Sequence, residues 1–248
     1  MARLDVLLHE KKYFGSRKKA QDAIKAGAVF VDGNPITKPG AAIPAGADIS
    51  ISKIGVYGYV SRGGIKLEHA LKTFGIDVGG KTAIDIGAST GGFTHCLLSF
   101  GAKKVYAVDV GHGQMDKTLA ADERVVLIEG VNARNLKPGE IAGGLVDLAV
   151  IDVSFISVKM VLLPAAAQLS GGADMICLVK PQFEVGRGKG IGKGGIVKDP
   201  LARSKALESV KAYALDNGLV PVAETESPIA GGDGNMEFLI HLRVQNMS

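Results

Sequence analysis

The chain has 248 residues, only two cysteines, no tryptophan and few aromatic side chains of any kind (5%). Cys96 and Cys177 stand far apart, each among apolar neighbours. That spacing builds no metal motif and implies no disulfide framework, so both read as buried, inert thiols. The five histidines show no ligand spacing either, and no metal site is expected. Long apolar runs are missing too. The longest stretch free of Asp, Glu, Lys and Arg is 86–102, and Gly87, Gly91, Gly92 and Gly101 make it a poor membrane span. The opening MARLDVLLHEKK is charged throughout, unlike the basic-then-apolar order of a secretion signal. These absences lead to the expectation of a cytoplasmic globular protein with no membrane part. Its 46% hydrophobic and 22% charged residues are enough for a core. The length fits one large domain or two smaller ones.

Most of the chain also lacks any excess of charge. Residues 1–60 hold nine basic and five acidic side chains, which accounts for the whole net charge of +4. Such asymmetry suggests that the N-terminal quarter meets a polyanion. Leu4, Leu7 and Leu8 have helical spacing, Gly15 ends that helix, and Ser16 can cap the next. Ala20, Ala23 and Ile24 make the second helix's inner face, Gly27 its stop, and AVFVDG and ADISI two strands. Arg3, Arg17, Lys18, Lys19 and Lys25 are the candidate phosphate contacts, most of them at the start of the second helix. Too few aromatics interleave with them for a single-strand stacking platform. The glycine-rich SKIGVYGYVSRGG, residues 52–64, reads as a join that carries one more candidate contact, Arg62. The expected domains are therefore residues 1–59 and 60–248.

TAIDIGASTGGFTHCLL, residues 82–98, runs from a strand through glycines into a helix. Residues without a β-carbon let a turn approach a ligand closely. The spacing D-x-G-x-x-x-G-G, from Asp85 through Gly87 to Gly91 and Gly92, is not the dinucleotide G-x-G-x-x-G. It resembles instead the first motif of methyltransferases that use S-adenosylmethionine, so Ser89 and Phe93 in the same turn join the candidate cofactor contacts. The next strand, KVYAVDVG, ends in Asp109, 24 residues on, where a carboxylate should meet ribose hydroxyls. Asn132, in the loop after RVVLIEG, would lie near an adenine. The strands LVDLAVID, ADMICLVK, LVPVAET and MEFLIHLRV follow, with a helix from about 201 to 217. Alternating strands and helices predict a mostly parallel sheet, its last two strands pairing antiparallel.

Four polar residues occupy strand or helix tips: Lys66 in SRGGIKL, Asp152 in IDVSF, Lys180 in VKPQFE and Glu237 in GNMEF. Together with DIGASTGGF, these motifs resemble the TlyA family, ribosomal RNA 2′-O-methyltransferases often labelled hemolysins. Their catalytic domain is similar to FtsJ. The first fifty residues resemble a small S-four-type RNA-binding domain, matching at Arg3, Asp5, Leu8, Ser16, Arg17, Ala20, Ile24, Gly27, Val29, Val31, Asp32 and Gly33 among others. The resemblance implies an α/β, Rossmann-like methyltransferase domain with a seven-stranded, mostly parallel sheet behind a small α+β domain. It implies S-adenosyl-L-methionine as cofactor, ribosomal RNA or ribosomal subunits as partner, cytidine as target, and Lys66, Asp152, Lys180 and Glu237 as a catalytic tetrad. Asp152 counts also as a cofactor contact.

The chemistry is consistent. Methyl transfer from sulfonium to oxygen is an in-line displacement, so alignment supplies much of the rate. The leaving sulfide is neutral, so no metal is required. A lysine becomes a base only when its pKa falls from about 10.4 towards neutrality. Lys180 is the expected base, Asp152 its orienter, and Lys66 and Glu237 substrate positioners. GRGKGIGKGG, residues 186–195, misses the phosphate-loop register but offers Arg187, Lys189 and Lys193 to RNA phosphates. Three other readings stay open: a non-catalytic RNA-binding or assembly factor, a membrane-active hemolysin, and a small-molecule methyltransferase.

Overall fold

The computed structural model describes residues 1–25, 27–51, 58–185, 192, 195–231 and 234–245. The chain divides into two compact units, Met1–Gly64 and Ile65–Ser248.

In the first unit, α1 (Leu4–Glu10) and α2 (Arg17–Lys25) pack on short strands. β1 (Ala2–Arg3) pairs with β4 (Ala42–Ile43), and β2 (Val29–Val31) lies between β3 (Asn34–Pro35) and β5 (Ile49–Ile51). The helical spacing of Leu4 with Leu8 and of Ala20 with Ile24 points both pairs into one small core with Val29, Val31 and Ile49. The expected cap forms: the Lys19 N–H donates to Ser16 Oγ at 3.2 Å. The two-residue strands β1, β3 and β4 are too short to show alternation in the sequence.

The second unit is built on a seven-stranded sheet. Its strands are β6 (Thr82–Ile86), β7 (Lys104–Val108), β8 (Val125–Ile128), β9 (Val146–Ile151), β10 (Leu169–Val179), β11 (Leu219–Glu226) and β12 (Phe238–Val244). Their spatial order is β11-β12-β10-β9-β6-β7-β8, and β12 alone runs against its neighbours. The helices are α3 (Gly63–Phe74), α4 (Gly92–Ser99), α5 (Lys117–Ala120), α6 (Lys159–Ala166), α7 (Pro181–Glu184) and α8 (Pro200–Asp216). Strand alternation sends Ile84, Ile86, Ile151, Cys177, Val179 and Ile240 to the face covered by α6 and α8. The opposite face meets α4, through Thr94 on Asp85, and α3, through Phe74 stacked on His241.

β10 is longer than its apolar ADMICLV segment. A register irregularity between Leu169 and Asp174 absorbs Gly171 and Gly172. Helix α6 is also unannounced, since Pro164 lies inside it. Both cysteines are buried, and burial pushes the Cys177 thiol upward. Among the described residues no helix is long and apolar enough to cross a membrane.

The ladder decides what meets at the sheet's edge. Ile86 and Cys177 both pair with Ile151, and Val179 pairs with Phe238. Gly87, Asp152, Lys180 and Glu237 each lie one residue beyond these last rungs, and so share one edge.

Candidate active site

Two ion pairs are built at that edge. The Lys180 Nζ lies 2.6 Å from Asp152 Oδ1, in a close ion pair rather than an aligned hydrogen bond, and it donates to Ser154 Oγ at 2.8 Å. The Lys66 Nζ, carried on the first turns of α3, donates to Glu237 Oε2 at 2.5 Å. Lys66, Lys180 and Glu237 are all under 10% exposed. Buried charges persist only when paired, so each lysine is held by its own carboxylate. All four expected residues are thereby engaged in two pairs.

The loop around Lys180 is fastened from the other side by Glu184. Its carboxylate accepts the Ser157 hydroxyl at 2.5 Å and the Val158 N–H at 2.8 Å, and burial raises its pKa. These bonds tie the segment after Asp152 to the segment after Lys180. Ser154 and Glu184 lie in motifs whose chemistry was read from other residues; their proximity to Asp152 and Lys180 in sequence was the available signal.

Beside this edge is a cavity of about 330 Å³, within the size range of small-ligand sites. Gly87, Ser89, Asp109, Asn132 and Asp152 line it, as does Ser154. Val110, Val131, Phe155 and Ile156 supply apolar wall. The Asp109 carboxylate accepts the N–H groups of Ser89 at 2.8 Å and Gly111 at 2.7 Å, which fixes its direction. Asn132 caps a short 3₁₀ turn by accepting the Arg134 N–H at 3.2 Å. Gln114, unremarked in the sequence, accepts the Ser89 hydroxyl.

Asp85, Gly91, Gly92 and Phe93 do not line the cavity. Packing adds a second reason for two of the glycines. A β-carbon on Gly87 would come within 2.4 Å of the Asp152 carbonyl oxygen, and one on Gly91 within 2.6 Å of Leu119 Cδ1. These glycines make room for protein neighbours, and both hold positive φ. Asp85 is fully buried. Its Oδ2 accepts the Thr94 hydroxyl at 2.6 Å, while Oδ1 has no hydrogen-bond partner among the described residues. Burial, with Asp152 adding to it, pushes the Asp85 carboxyl up to about 7.

This donor set fits S-adenosylmethionine. Apolar walls suit an adenine, and a fixed carboxylate suits ribose hydroxyls.

In the first unit, Arg3 and Arg17 are not free cations. The buried Asp5 accepts Arg3 Nε at 3.1 Å, Arg17 Nε at 2.9 Å and Gln21 Nε2 at 2.7 Å. These bonds, that of Arg3 foremost, hold the Asp5 carboxyl well below the usual range. Both guanidinium side chains remain about half exposed. Lys18 makes an exposed pair with Asp22, and Lys19 and Lys25 face solvent. Arg62 is partly buried. Arg187, Lys189 and Lys193 lie outside the described residues.

The FtsJ-like methyltransferase family matches residues 59–244, and the S4 domain family matches residues 2–49. A 16S/23S rRNA (cytidine-2′-O)-methyltransferase TlyA of Mycobacterium tuberculosis is 44% identical over 244 residues, spanning 98% of this chain and 90% of its own. Hemolysin A of Brachyspira hyodysenteriae is 44% identical over 96% of this chain and 98% of its own. A solved structure of a hemolysin-named protein from Streptococcus thermophilus superposes with a TM-score of 0.77 at 44% identity, covering 99% of this chain and 90% of that one. An S-adenosylmethionine-dependent methyltransferase fold from Listeria monocytogenes, at 18% identity and TM-score 0.53, shares the architecture. The chain belongs to the TlyA family, in which an S4 domain precedes an FtsJ-like methyltransferase domain.

Proposed function

We propose that this protein methylates a ribose 2′-hydroxyl of a cytidine in ribosomal RNA, within ribosomal subunits, in the cytoplasm. S-adenosylmethionine, when bound, supplies an electrophilic methyl group and a neutral leaving sulfide. The observation that carries the reading is the Lys180–Asp152 pair at 2.6 Å, next to a cavity of cofactor size. In this reading the domains are residues 1–59, which grip RNA, and 60–248, which do the chemistry.

Lys180, after its ammonium has released a proton to solvent, takes the 2′-hydroxyl proton as a neutral amine while the oxygen attacks, and becomes ammonium again. Asp152 and Ser154 hold its head in one direction and stabilise the ammonium that re-forms, so little reorganisation is needed at the reacting oxygen. Lys66 and Glu237, a second pre-formed pair, position the sugar. Asp109 meets ribose hydroxyls of the cofactor, and Asn132 borders the adenine. Gly87 and Ser89 form the turn beneath it, and Asp85, buried below that turn, anchors α4 through Thr94. Phe155 is 89% exposed despite its size, holds a φ of 68°, and has its ring 5.6 Å from that of Phe183. A strained, exposed aromatic beside the cavity is suited to stacking on an unstacked base. Arg3 and Arg17, both fixed by Asp5, offer two aimed guanidinium groups to RNA phosphates, with Lys18, Lys19, Lys25 and Arg62 adding charge.

The test is incubation with methyl-labelled S-adenosylmethionine and separated ribosomal subunits, followed by mapping of the labelled nucleotide. Lys180→Ala should lower transfer by about 10²–10⁴-fold while cofactor affinity is kept. Near-normal transfer by that variant defeats the assignment of the base. Label on a nucleobase instead of a ribose defeats the reaction.

A further inference from the structure

A second cavity, of about 450 Å³, lies at the same edge of the sheet but around β12 from the lysine pairs. Its floor is apolar, with Ile196, Ile229 and Met236, and Lys198, Arg203 and Ser227 bring polar groups to it. Among the described residues no acidic one lines it. Neither Lys198 nor Arg203 makes an ion pair with a carboxylate among the described residues. The nearest acid in sequence, Asp199, is occupied as the cap of α8, accepting the Leu201 N–H at 3.0 Å. Arg203 is partly buried, with its Nη1 3.4 Å from Met236 Sδ, so the guanidinium lies over the floor and not out in solvent.

The cavity is joined to the candidate active site by backbone. Gly234 and Met236 line the cavity, whereas Asn235 and Glu237 are buried and do not. Asn235 accepts the Val197 N–H at 2.9 Å and donates to the Gly195 carbonyl at 3.2 Å, which fastens the segment carrying Ile196 and Lys198 to the residue before Met236. Gly231 is packed so closely on Glu237 that a β-carbon there would come within 2.4 Å of Oε1. One loop thus forms the wall of the cavity and the seat of Glu237.

We infer that this cavity is a subsite for a nucleotide flanking the methylated one, its base on the apolar floor and its phosphate on Lys198 and Arg203. The inference rests on the proposed reading of the active site. A strand whose ribose lies beside Lys180 and Glu237 must continue across the edge of the sheet, and this cationic hollow borders that exit. An apolar floor under cations that have no carboxylate partner among the described residues matches an unstacked nucleotide, which presents a flat face and a phosphate together.

Arg203→Gln and Lys198→Gln test it separately, because Lys198 is exposed and its replacement leaves the fold intact. Each should raise KM for ribosomal RNA about three- to tenfold with kcat nearly unchanged, the signature of lost uniform binding. The double variant should also flatten the slope of log affinity against log salt by about 0.7, the contribution of one phosphate on a single strand, and each single variant by part of that. S-adenosylmethionine affinity should not move. Unchanged KM and salt slope in both variants overturn the inference, as does loss of cofactor affinity in step with activity. Should the wild-type protein transfer no methyl group, the active-site reading falls. Equilibrium binding of an RNA oligonucleotide, with the same salt series, still decides the subsite.

Discussion

Replacing Asp85 with asparagine should change how stability depends on pH. The Asp85 carboxyl is buried under the β6–α4 turn, and its folded pKa is about 7. In the unfolded chain the same group ionises near ~3.9. Burial is the main cause. The Thr94 hydroxyl opposes it by stabilising the anion, and Asp152 reinforces it by repulsion. A carboxyl raised in the folded state burdens folding in a definite window. Below about pH 4 it is protonated in both states and costs nothing. From about 4 to 7 the unfolded chain loses the proton and the folded one keeps it, so stability falls. Above about 7 the full cost of ~4 kcal/mol, three pKa units at 1.36 each, remains.

Asparagine has no such titration and can still accept from Thr94. The stability of Asp85→Asn minus that of wild type should therefore grow by ~4 kcal/mol between pH 4 and 8. Urea unfolding of both proteins at half-unit steps, followed by circular dichroism, gives this difference directly, since titrations elsewhere cancel in it. Parallel curves for the two proteins would refute the reasoning.

Three more outcomes are expected. Gly87→Ala sets a β-carbon 2.4 Å from the Asp152 carbonyl at a φ of 83°, and should cost ~3 kcal/mol in urea unfolding while also lowering methyl transfer. Glu237→Gln leaves the Lys66 ammonium buried without a counter-charge and should destabilise by ~3 kcal/mol; adding Lys66→Met should recover part of that loss without restoring activity. Asp5→Asn releases Arg3 and Arg17, so RNA affinity should drop about tenfold, the worth of one charge-assisted bond, with cofactor affinity unchanged in calorimetry. Because the Asp5 carboxyl is held below its ordinary range, its support for the first unit is complete above about pH 4 and fades as pH falls further, and the asparagine variant should lack that acid limb.

The sheet and its edge were legible because the relevant information is local. Apolar strands ending in Asp109, Asp152 and Lys180 report both the strand and its tip, and a parallel order then gathers the tips on one side. Partnership was not legible, because it depends on contacts between distant segments. Lys66 and Glu237 are 171 positions apart, and nothing in either motif names the other. The glycines show the limit most clearly. Their spacing marked a tight turn correctly, yet the atoms that forbid a side chain belong to Asp152 and Leu119. Charge counting failed in a related way at Arg3 and Arg17: a tally finds two free cations, whereas a single buried carboxylate aims both. The same physics separates the two lysines of the candidate site from surface lysines. A surface lysine finds its counter-charge in solvent, and its neighbours in the fold hardly matter. Lys66 and Lys180 have lost that option through burial, so each had to be matched by a carboxylate brought from another element. That obligation turns four scattered polar residues into two rigid pairs at one edge.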